Sequence, residues 1–307
     1  MAEEEIAEFA EPGRAFRPNE YIKATSVEQV VSTLATYGFR AKIVAGGTEL
    51  NELAKRGLIP HVEKLIDIED LGLEYVREDS DWLRIGAMTT IADLGRSAKI
   101  RSETGLRALS EAVNRIEPTQ VKNVATVGGA ICSGLPLFDL PTALVAMDAR
   151  ARVIGPRGER IIALTGFFLD YFLTSLKTGE FVVEVMIPKT SSRAGSWFDK
   201  LQVTSEDLAL VNAAVHLSLD GSGRVRNPKI ALGGRGTNRV PTRALRAEQL
   251  ADGELEGKIS VGKVAQKAAR EIRPISDQRA SAEYRRKMAC VLVERCLGRA
   301  LELAGAD

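Results

Sequence analysis

Two glycine pairs, each placed close behind an apolar run, constrain this 307-residue chain more than any other feature. Gly46-Gly47 follows the run 42–45, and Gly128-Gly129 lies in the stretch 122–133, upstream of an Asp-Leu-Pro helix start at Asp139. Glycine lets a backbone approach a ligand closely, and amides at helix starts favour anions. The pattern predicts two binding loops around one diphosphate, although ordinary strand-to-helix turns use the same residues.

Net charge and hydropathy argue against a nucleic-acid-binding or a membrane-spanning protein. The 42 basic and 41 acidic residues almost cancel, which is unlike the basic footprint of a nucleic-acid-binding protein. No apolar window approaches the length of about 18 residues that a membrane helix needs. The acidic start at residues 1–5 lacks the basic region of a secretory signal. We therefore expect no nucleic-acid partner, no membrane span and a cytoplasmic location.

Soft metal ligands are scarce in this sequence. The three cysteines are Cys132, Cys290 and Cys296, and the two histidines are His61 and His216. Such a scattered set does not provide a disulfide framework or a four-cysteine metal site. We therefore predict no metal in this chain and assign no catalytic side chain.

The periodicity of apolar residues predicts an α+β chain. A small α/β unit comes first, a domain boundary falls at 190–195, and an antiparallel meander with two helices follows. Helices are predicted at 26–37, 48–56, 103–115, 165–172, 261–270 and 280–303. Strands are predicted at 41–45, 64–68, 73–76, 82–85, 151–154, 160–163, 181–187, 197–202, 209–219 and 225–232. A short strand-like step is expected within 122–133.

The sequence does not support either of two common nucleotide-binding signatures. The stretch 257–264 nearly matches a phosphate-binding Gly-x-x-x-x-Gly-Lys-Ser/Thr loop, but Val264 replaces the hydroxyl residue. The chain has no Gly-x-Gly-x-x-Gly, so a Rossmann site is not supported. The basic run 285–287 is interpreted as a solvated helix face.

Four segments in order carry a resemblance to a known family. They are 45–50 (Ala-Gly-Gly-Thr-Glu-Leu), 122–139, 231–234 and 281–286 (Ser-Ala-Glu-Tyr-Arg-Arg). Over residues 17 to 303 the chain resembles the FAD-binding medium subunits of molybdenum hydroxylases, the carbon monoxide dehydrogenase and xanthine dehydrogenase flavoprotein family. The resemblance implies an FAD-binding fold of the vanillyl-alcohol-oxidase (PCMH) type.

The resemblance also implies the domain limits. The resemblance implies that residues 17–190 are an FAD-binding domain of two α/β subdomains split near residue 72. The acidic start, interrupted by proline and glycine, separately predicts a flexible tail at residues 1–16. Residues 195–307 would be the C-terminal domain of the carbon monoxide dehydrogenase flavoprotein type.

By resemblance, FAD is expected between the two subdomains. The expected cofactor-binding residues are Val44, Ala45, Gly46, Gly47, Thr48, Glu49, Leu50, Thr126, Gly128, Gly129, Asp139 and Lys200. The backbone amides of both loops would hold the diphosphate, and the two threonines would add hydroxyl donors. Two positions depart from the family pattern, because Ala130 replaces an asparagine and Phe138 replaces a serine.

The resemblance implies an electron-transfer subunit of an oxidoreductase complex. An iron–sulfur subunit with two-iron two-sulfur clusters and a subunit with molybdenum cofactor would be its partners, in a dimer of heterotrimers that serves an external electron acceptor. Two alternatives remain open: a stand-alone flavin reductase of the same superfamily, and a scaffold subunit that has lost FAD.

Overall fold

The computed structural model describes residues 16–59, 61–190 and 193–306, so residues 1–15 of the predicted tail lie outside the described residues. The first part of the fold has these elements: β1 (Glu20–Lys23), α1 (Val27–Tyr37), β2 (Ala41–Val44), α2 (Thr48–Lys55) and β3 (Lys64–Asp67). Its three strands form a parallel sheet in the order β1-β3-β2.

Helix α1 begins and ends as its sequence predicts. The Gln29 N–H donates to Ser26 Oγ at 3.2 Å, which satisfies one of the free amides of the first turn. Val30 and Leu34 lie on one face at helical spacing and are buried in the same core as Ile66 of β3. The capping residue and the apolar stripe together position the small sheet.

The second part is built around a five-stranded antiparallel sheet. Its strands are β4 (Val76–Glu78), β5 (Trp82–Gly86), β6 (Arg150–Gly155), β7 (Gly158–Ala163) and β10 (Phe181–Pro188), and a separate hairpin is formed by β8 (Phe168–Asp170) and β9 (Leu173–Thr174). The order is β4-β5-β10-β6-β7, which places the almost fully buried β10 at the centre.

Six short helices accompany this sheet. They are α3 (Ile91–Arg96), α4 (Ala98–Ser102), α5 (Arg107–Asn114), α6 (Thr119–Val124), α7 (Val127–Cys132) and α8 (Asp139–Ala146). All eight residues of α8 are buried, because α8 lies between the sheet of the second part and the C-terminal part. This placement brings Asp139, at the start of α8, into the interior.

Two local predictions were wrong. The helix predicted at 165–172 is a single helical turn followed by the β8–β9 hairpin, whose turn contains Phe172 rather than a typical turn residue. The strand-like step within 122–133 is helical, and Gly128-Gly129 lies inside α7. Short apolar runs do not distinguish a strand from a buried helix, so periodicity was insufficient in both cases.

The third part is an antiparallel sheet covered by helices. It contains β11 (Ala194–Leu201), β12 (Val211–Leu219), β13 (Val225–Gly233), β14 (Thr242–Arg243), α9 (Leu245–Ala251), α10 (Val261–Ala269) and α11 (Ala282–Gly305). The strands follow one another in chain order across the sheet. Helix α11 approaches β11 so closely that a Cβ added at Gly195 would lie 2.0 Å from the Ala300 carbonyl oxygen. The predicted α+β class is confirmed.

One prediction in this part was wrong in an informative way. Arg285 is fully buried and its guanidinium donates to the Ala280 carbonyl at 2.7 Å and to Asp277 Oδ1 at 2.8 Å. Only Arg286 and Lys287 of the basic run are exposed as predicted. A buried arginine is tolerated because carbonyl and carboxylate oxygens of the preceding loop accept hydrogen bonds from both terminal nitrogens of the guanidinium.

The opposite face of the third sheet packs on the second part. Phe198, Ala214 and Ala231 belong to the same buried core as the residues of α5 and α8. Since side chains alternate along a strand, Lys200 and Asn212 point to the same side as Phe198 and Ala214. Two polar residues of the C-terminal sheet are thereby directed at the start of α8.

Candidate functional site

A cavity of about 600 Å³ is enclosed by residues from all three parts of the fold. All but one of the predicted cofactor-binding residues line it: Ala45, Gly46, Gly47, Thr48, Glu49, Leu50, Thr126, Gly128, Gly129, Asp139 and Lys200. Val44 is the exception among the described residues. It ends β2 behind the loop, and its carbonyl accepts from the Ile68 N–H at 3.4 Å.

The first glycine loop joins β2 to α2. A Cβ at Gly46 would lie 1.8 Å from the Val124 carbonyl oxygen, so this glycine is required where the first loop touches the chain just before α7. Gly47 has φ +69°, a conformation that favours glycine, and it directs the chain into α2. The two glycines therefore serve different purposes, one for close packing and one for the turn.

The amides at the start of α2 are available for a ligand. Asn51 is the first residue of this segment whose N–H has an acceptor, the Gly47 carbonyl at 2.9 Å. Within the described chain, no acceptor is found for the N–H groups of residues 47–50, and Gly47 supplies no side-chain cap. Free amides at a helix start carry a partial positive charge and bind anions such as a diphosphate.

The second glycine loop has its amides already engaged. The Gly128 N–H donates to the Ala87 carbonyl at 2.9 Å, and the Gly129 N–H donates to Thr126 Oγ1 at 3.1 Å. The N–H of Val127 donates to the Thr89 carbonyl at 3.0 Å. A diphosphate would have to compete with these acceptors. The second loop thus forms a wall of the cavity, while the first loop offers free donors.

A buried ion pair closes one side of the cavity. Lys200 Nζ lies 2.7 Å from Asp139 Oδ2, and both side chains are nearly inaccessible, at 4% and 5% exposure. Asn212 Nδ2 donates to the other oxygen of Asp139 at 3.1 Å, and Thr142 Oγ1 donates to Asn212 Oδ1 at 2.9 Å. Burial raises the pKa of the Asp139 carboxyl, whereas Lys200 and Asn212 act in the opposite direction.

Two charged residues near the first loop change the electrostatics of the cavity. Lys42 lines the cavity, has no ion-pair partner among the described residues, and has its pKa lowered by burial. Burial raises the pKa of Glu49, which lies in the first turn of α2. Sequence analysis missed Lys42, although a lysine within the short apolar strand β2 was a usable signal.

The positions that depart from the family pattern also face the cavity. Ala130 and Phe138 line it, so an alanine methyl and an aromatic ring replace two polar side chains at its wall. Cys132 is accessible through the cavity, and the apolar surroundings raise the pKa of its thiol to about 12. A thiol with such a pKa is not a nucleophile at neutral pH.

Two further residues of the site were missed by sequence analysis. Asn212 contacts Asp139 from a strand of the C-terminal sheet, and its only signal was a polar residue among apolar neighbours. Phe172 lines the cavity from the β8–β9 turn, which was predicted to be helical. Neither has a sequence motif that points to a ligand.

Neither a metal-ion cluster nor a helix able to span a membrane is found in the part of the chain that the structure describes. There, no cluster of three or more His, Cys, Asp or Glu residues is arranged to hold a metal ion. Among the helices of residues 16–59, 61–190 and 193–306, none has the length and apolar character needed to cross a bilayer.

Family models match most of the chain. The model described as the FAD binding domain in molybdopterin dehydrogenase matches residues 14–190. The model described as the CO dehydrogenase flavoprotein C-terminal domain matches residues 196–300.

Individual relatives match along nearly their whole length. The medium chain of carbon monoxide dehydrogenase from Hydrogenophaga pseudoflava is 35% identical over 286 residues, covering 92% of this chain and 96% of that one. The alpha subunit of the 6-hydroxypseudooxynicotine dehydrogenase complex from Paenarthrobacter nicotinovorans is 32% identical, covering 93% and 95%.

A solved structure gives the same result. A carbon monoxide dehydrogenase structure from Hydrogenophaga pseudoflava superposes with a TM-score of 0.87 at 33% identity, covering 94% of this chain and 98% of that chain. The resemblance seen in the sequence is confirmed, and the chain belongs to the FAD-binding flavoprotein subunits of the molybdopterin dehydrogenase family of oxidoreductases.

Proposed function

We propose that this chain binds FAD in the cavity and acts as the electron-transfer subunit of a multi-subunit molybdenum hydroxylase. The observation that carries the proposal is the set of free amides at residues 47–50, which line a cavity large enough for much of a dinucleotide. Two of the relatives are a medium chain and a subunit of a complex, which supports the assignment to a larger assembly.

The residues present fit a flavin dinucleotide. The amides and hydroxyl of Thr48 and its neighbours would hold the diphosphate. Lys42, which has no ion-pair partner within the described residues, would add a positive charge on the same side. Thr126 would contribute its hydroxyl from the facing loop, while Gly128 and Gly129 would form a wall without side chains. Asp139 and Lys200 would contact the cofactor at the far side of the cavity, where their mutual ion pair keeps both in place.

FAD, when bound, can exchange electrons singly with iron–sulfur clusters and in pairs with a nicotinamide, so the redox chemistry belongs to the cofactor. The side chains of this chain bind and orient it and exclude water, and no catalytic side chain is assigned. We further propose an iron–sulfur partner with two-iron two-sulfur clusters, a partner with molybdenum cofactor that holds the organic substrate, and an external electron acceptor. The dimer of heterotrimers and the cytoplasmic location are part of the same proposal.

The first experiment is purification of the chain with its native partners, followed by an absorption spectrum and acid release of the cofactor. One FAD per chain together with iron–sulfur absorbance from the partners is expected. A complex with full activity and no flavin would instead support a scaffold subunit. Purification without partners, together with FAD and reductase activity, would support the stand-alone flavin reductase.

A charge substitution tests the diphosphate site. Thr48→Glu places a carboxylate at the first residue of α2, where the helix dipole favours it, so the fold should not be destabilised. The same carboxylate would repel the diphosphate, and we expect the Kd for FAD to rise at least about tenfold.

Thr48→Gln is the matched control, because it has the same size without the charge and should retain most of the affinity. Titration of deflavinated protein with FAD measures both variants. If Thr48→Glu binds FAD as tightly as Thr48→Gln does, the diphosphate does not lie at this helix start.

A further inference from the structure

Phe172 has a backbone conformation that its side chain does not favour. Its φ is +56°, and the other described non-glycine residues with positive φ are Asp148 and Asn227. Asp and Asn tolerate this region because their short polar side chains bond locally, whereas a bulky residue there is an outlier. Phe172 is therefore the strained residue among the three.

The strained turn is held from two sides. Asp170 pairs with Leu173 across the hairpin, so Tyr171 and Phe172 form a two-residue turn whose second position has positive φ, where Gly or Asn is usual. The Phe172 N–H donates to the Gly134 carbonyl at 3.2 Å, just beyond α7. Arg239 of the third part donates to Asp170 Oδ1 at 2.7 Å.

Packing within the chain does not account for the phenylalanine. Phe167 and Phe168, at the start of the same hairpin, are buried at 0% and 5% exposure, but Phe172 is 44% exposed and lines the cavity. An exposed apolar ring on a strained turn gains little from the fold itself. Backbone strain that the surroundings maintain clusters at ligand sites, and a flat ring of a ligand would cover this side chain.

We propose that Phe172 is a cofactor-contacting residue whose ring packs against one of the two flat ring systems of FAD, the isoalloxazine or the adenine. This inference rests on the proposed function, because it needs a flavin dinucleotide in the cavity. It adds a contact from the β8–β9 hairpin, a segment that none of the family-derived site residues occupies. Glycine or asparagine at this position would relieve the backbone strain, but neither would supply an aromatic ring to pack against the cofactor.

The test compares stability with affinity in the full-length deflavinated chain. Phe172→Gly removes both the strain and the ring, so the thermal midpoint should not fall while the Kd for FAD rises about threefold to tenfold. Phe172→Leu keeps an apolar side chain but no flat ring, and its Kd should also rise. Leu173→Ala is the matched control, because Leu173 is 53% exposed beside Phe172 and is not among the lining residues.

Two probes distinguish the ring that Phe172 contacts. Loss of affinity for FMN with unchanged ADP affinity would identify the isoalloxazine, and the converse would identify the adenine. Unchanged FAD affinity in both Phe172 variants would overturn the inference. If partner subunits were lost at the same time, the Phe172 ring would instead contact a partner protein. If the wild-type chain takes up no FAD even in the complex with its partners, the proposed function fails as well.

Discussion

The two glycine loops have similar sequences and different states of their backbone donors. The first loop, residues 45–50, presents amides at the start of α2 for which no acceptor is found within the described chain. The second loop, residues 124–130, has amides that bond to Ala87, Thr89 and Thr126. A glycine pair after an apolar run therefore indicates close approach, but it does not tell whether the neighbour is a ligand or the protein.

The glycines themselves show the same difference. A Cβ at Gly128 would lie 2.8 Å from the Ala87 carbonyl oxygen, and a Cβ at Gly46 would meet the Val124 carbonyl. Both positions require glycine for contacts within the chain. The two loops also touch each other at Gly46, so the second loop acts as a support against which the first loop is positioned.

The largest effect is expected at the start of α8, which follows the second loop in the chain. Asp139→Asn would leave the Lys200 ammonium buried without a counter-charge, and removal of one partner of a buried ion pair costs about 3–5 kcal/mol. Urea unfolding of the deflavinated chain would measure the loss.

A double variant provides the control for this ion pair. Asp139→Asn combined with Lys200→Met removes both charges, and much of the lost stability should return. If the single variant unfolds at the wild-type urea concentration, the ion pair does not stabilise the contact between α8 and β11.

A smaller effect is expected from Gly46→Ala. The new methyl would lie 1.8 Å from the Val124 carbonyl, so the two loops would have to separate, at a cost of about 1–3 kcal/mol for overpacking. The displaced loop should also lose FAD affinity. Thermal unfolding and FAD titration measure the two effects.

Gly47→Ala is the matched control in the same loop. A Cβ at Gly47 has its nearest neighbour at 3.4 Å, so this variant has room for a methyl and is penalised only by its φ of +69°, by about 1–2 kcal/mol. A greater loss of FAD binding from Gly47→Ala than from Gly46→Ala would show that contact between the loops is not what shapes the cavity.

Much of this architecture was accessible from the sequence. Ser26 and its apolar neighbours predicted α1, and the apolar periodicity predicted the α+β class. The four family segments predicted residues that prove to line one cavity. Local signals suffice when the interaction that decides the structure lies within one turn of helix. The cofactor roles of these residues remain predictions.

Features that depend on distant partners were not accessible. The acceptor of the Gly128 amide is Ala87, and Asp139 meets Lys200 across 61 positions of the sequence. Arg285 is buried because a loop supplies oxygens to its guanidinium. Phe172 occupies a turn position at which glycine is usual, so its sequence did not indicate a turn. Predictions from local sequence fail most often at such strained sites.

The smallest effect is expected from Gly129→Ala, and it tests the comparison most directly. Gly129 lies within α7 and faces the cavity, and a Cβ there would have Thr126 Oγ1 as its nearest neighbour at 3.1 Å. Alanine is a better helix former by about 1 kcal/mol, so the fold should not weaken, and a methyl on the cavity wall should raise the Kd for FAD only about twofold to fivefold.

Gly128→Ala is the control for Gly129→Ala, because its methyl would meet the Ala87 backbone and should destabilise the fold instead. FAD titration and thermal unfolding of the two variants separate a ligand contact from a packing contact. A loss of FAD affinity from Gly129→Ala as large as that from Thr48→Glu would contradict the comparison. It would mean that the cofactor packs against Gly129 as closely as it does against the start of α2.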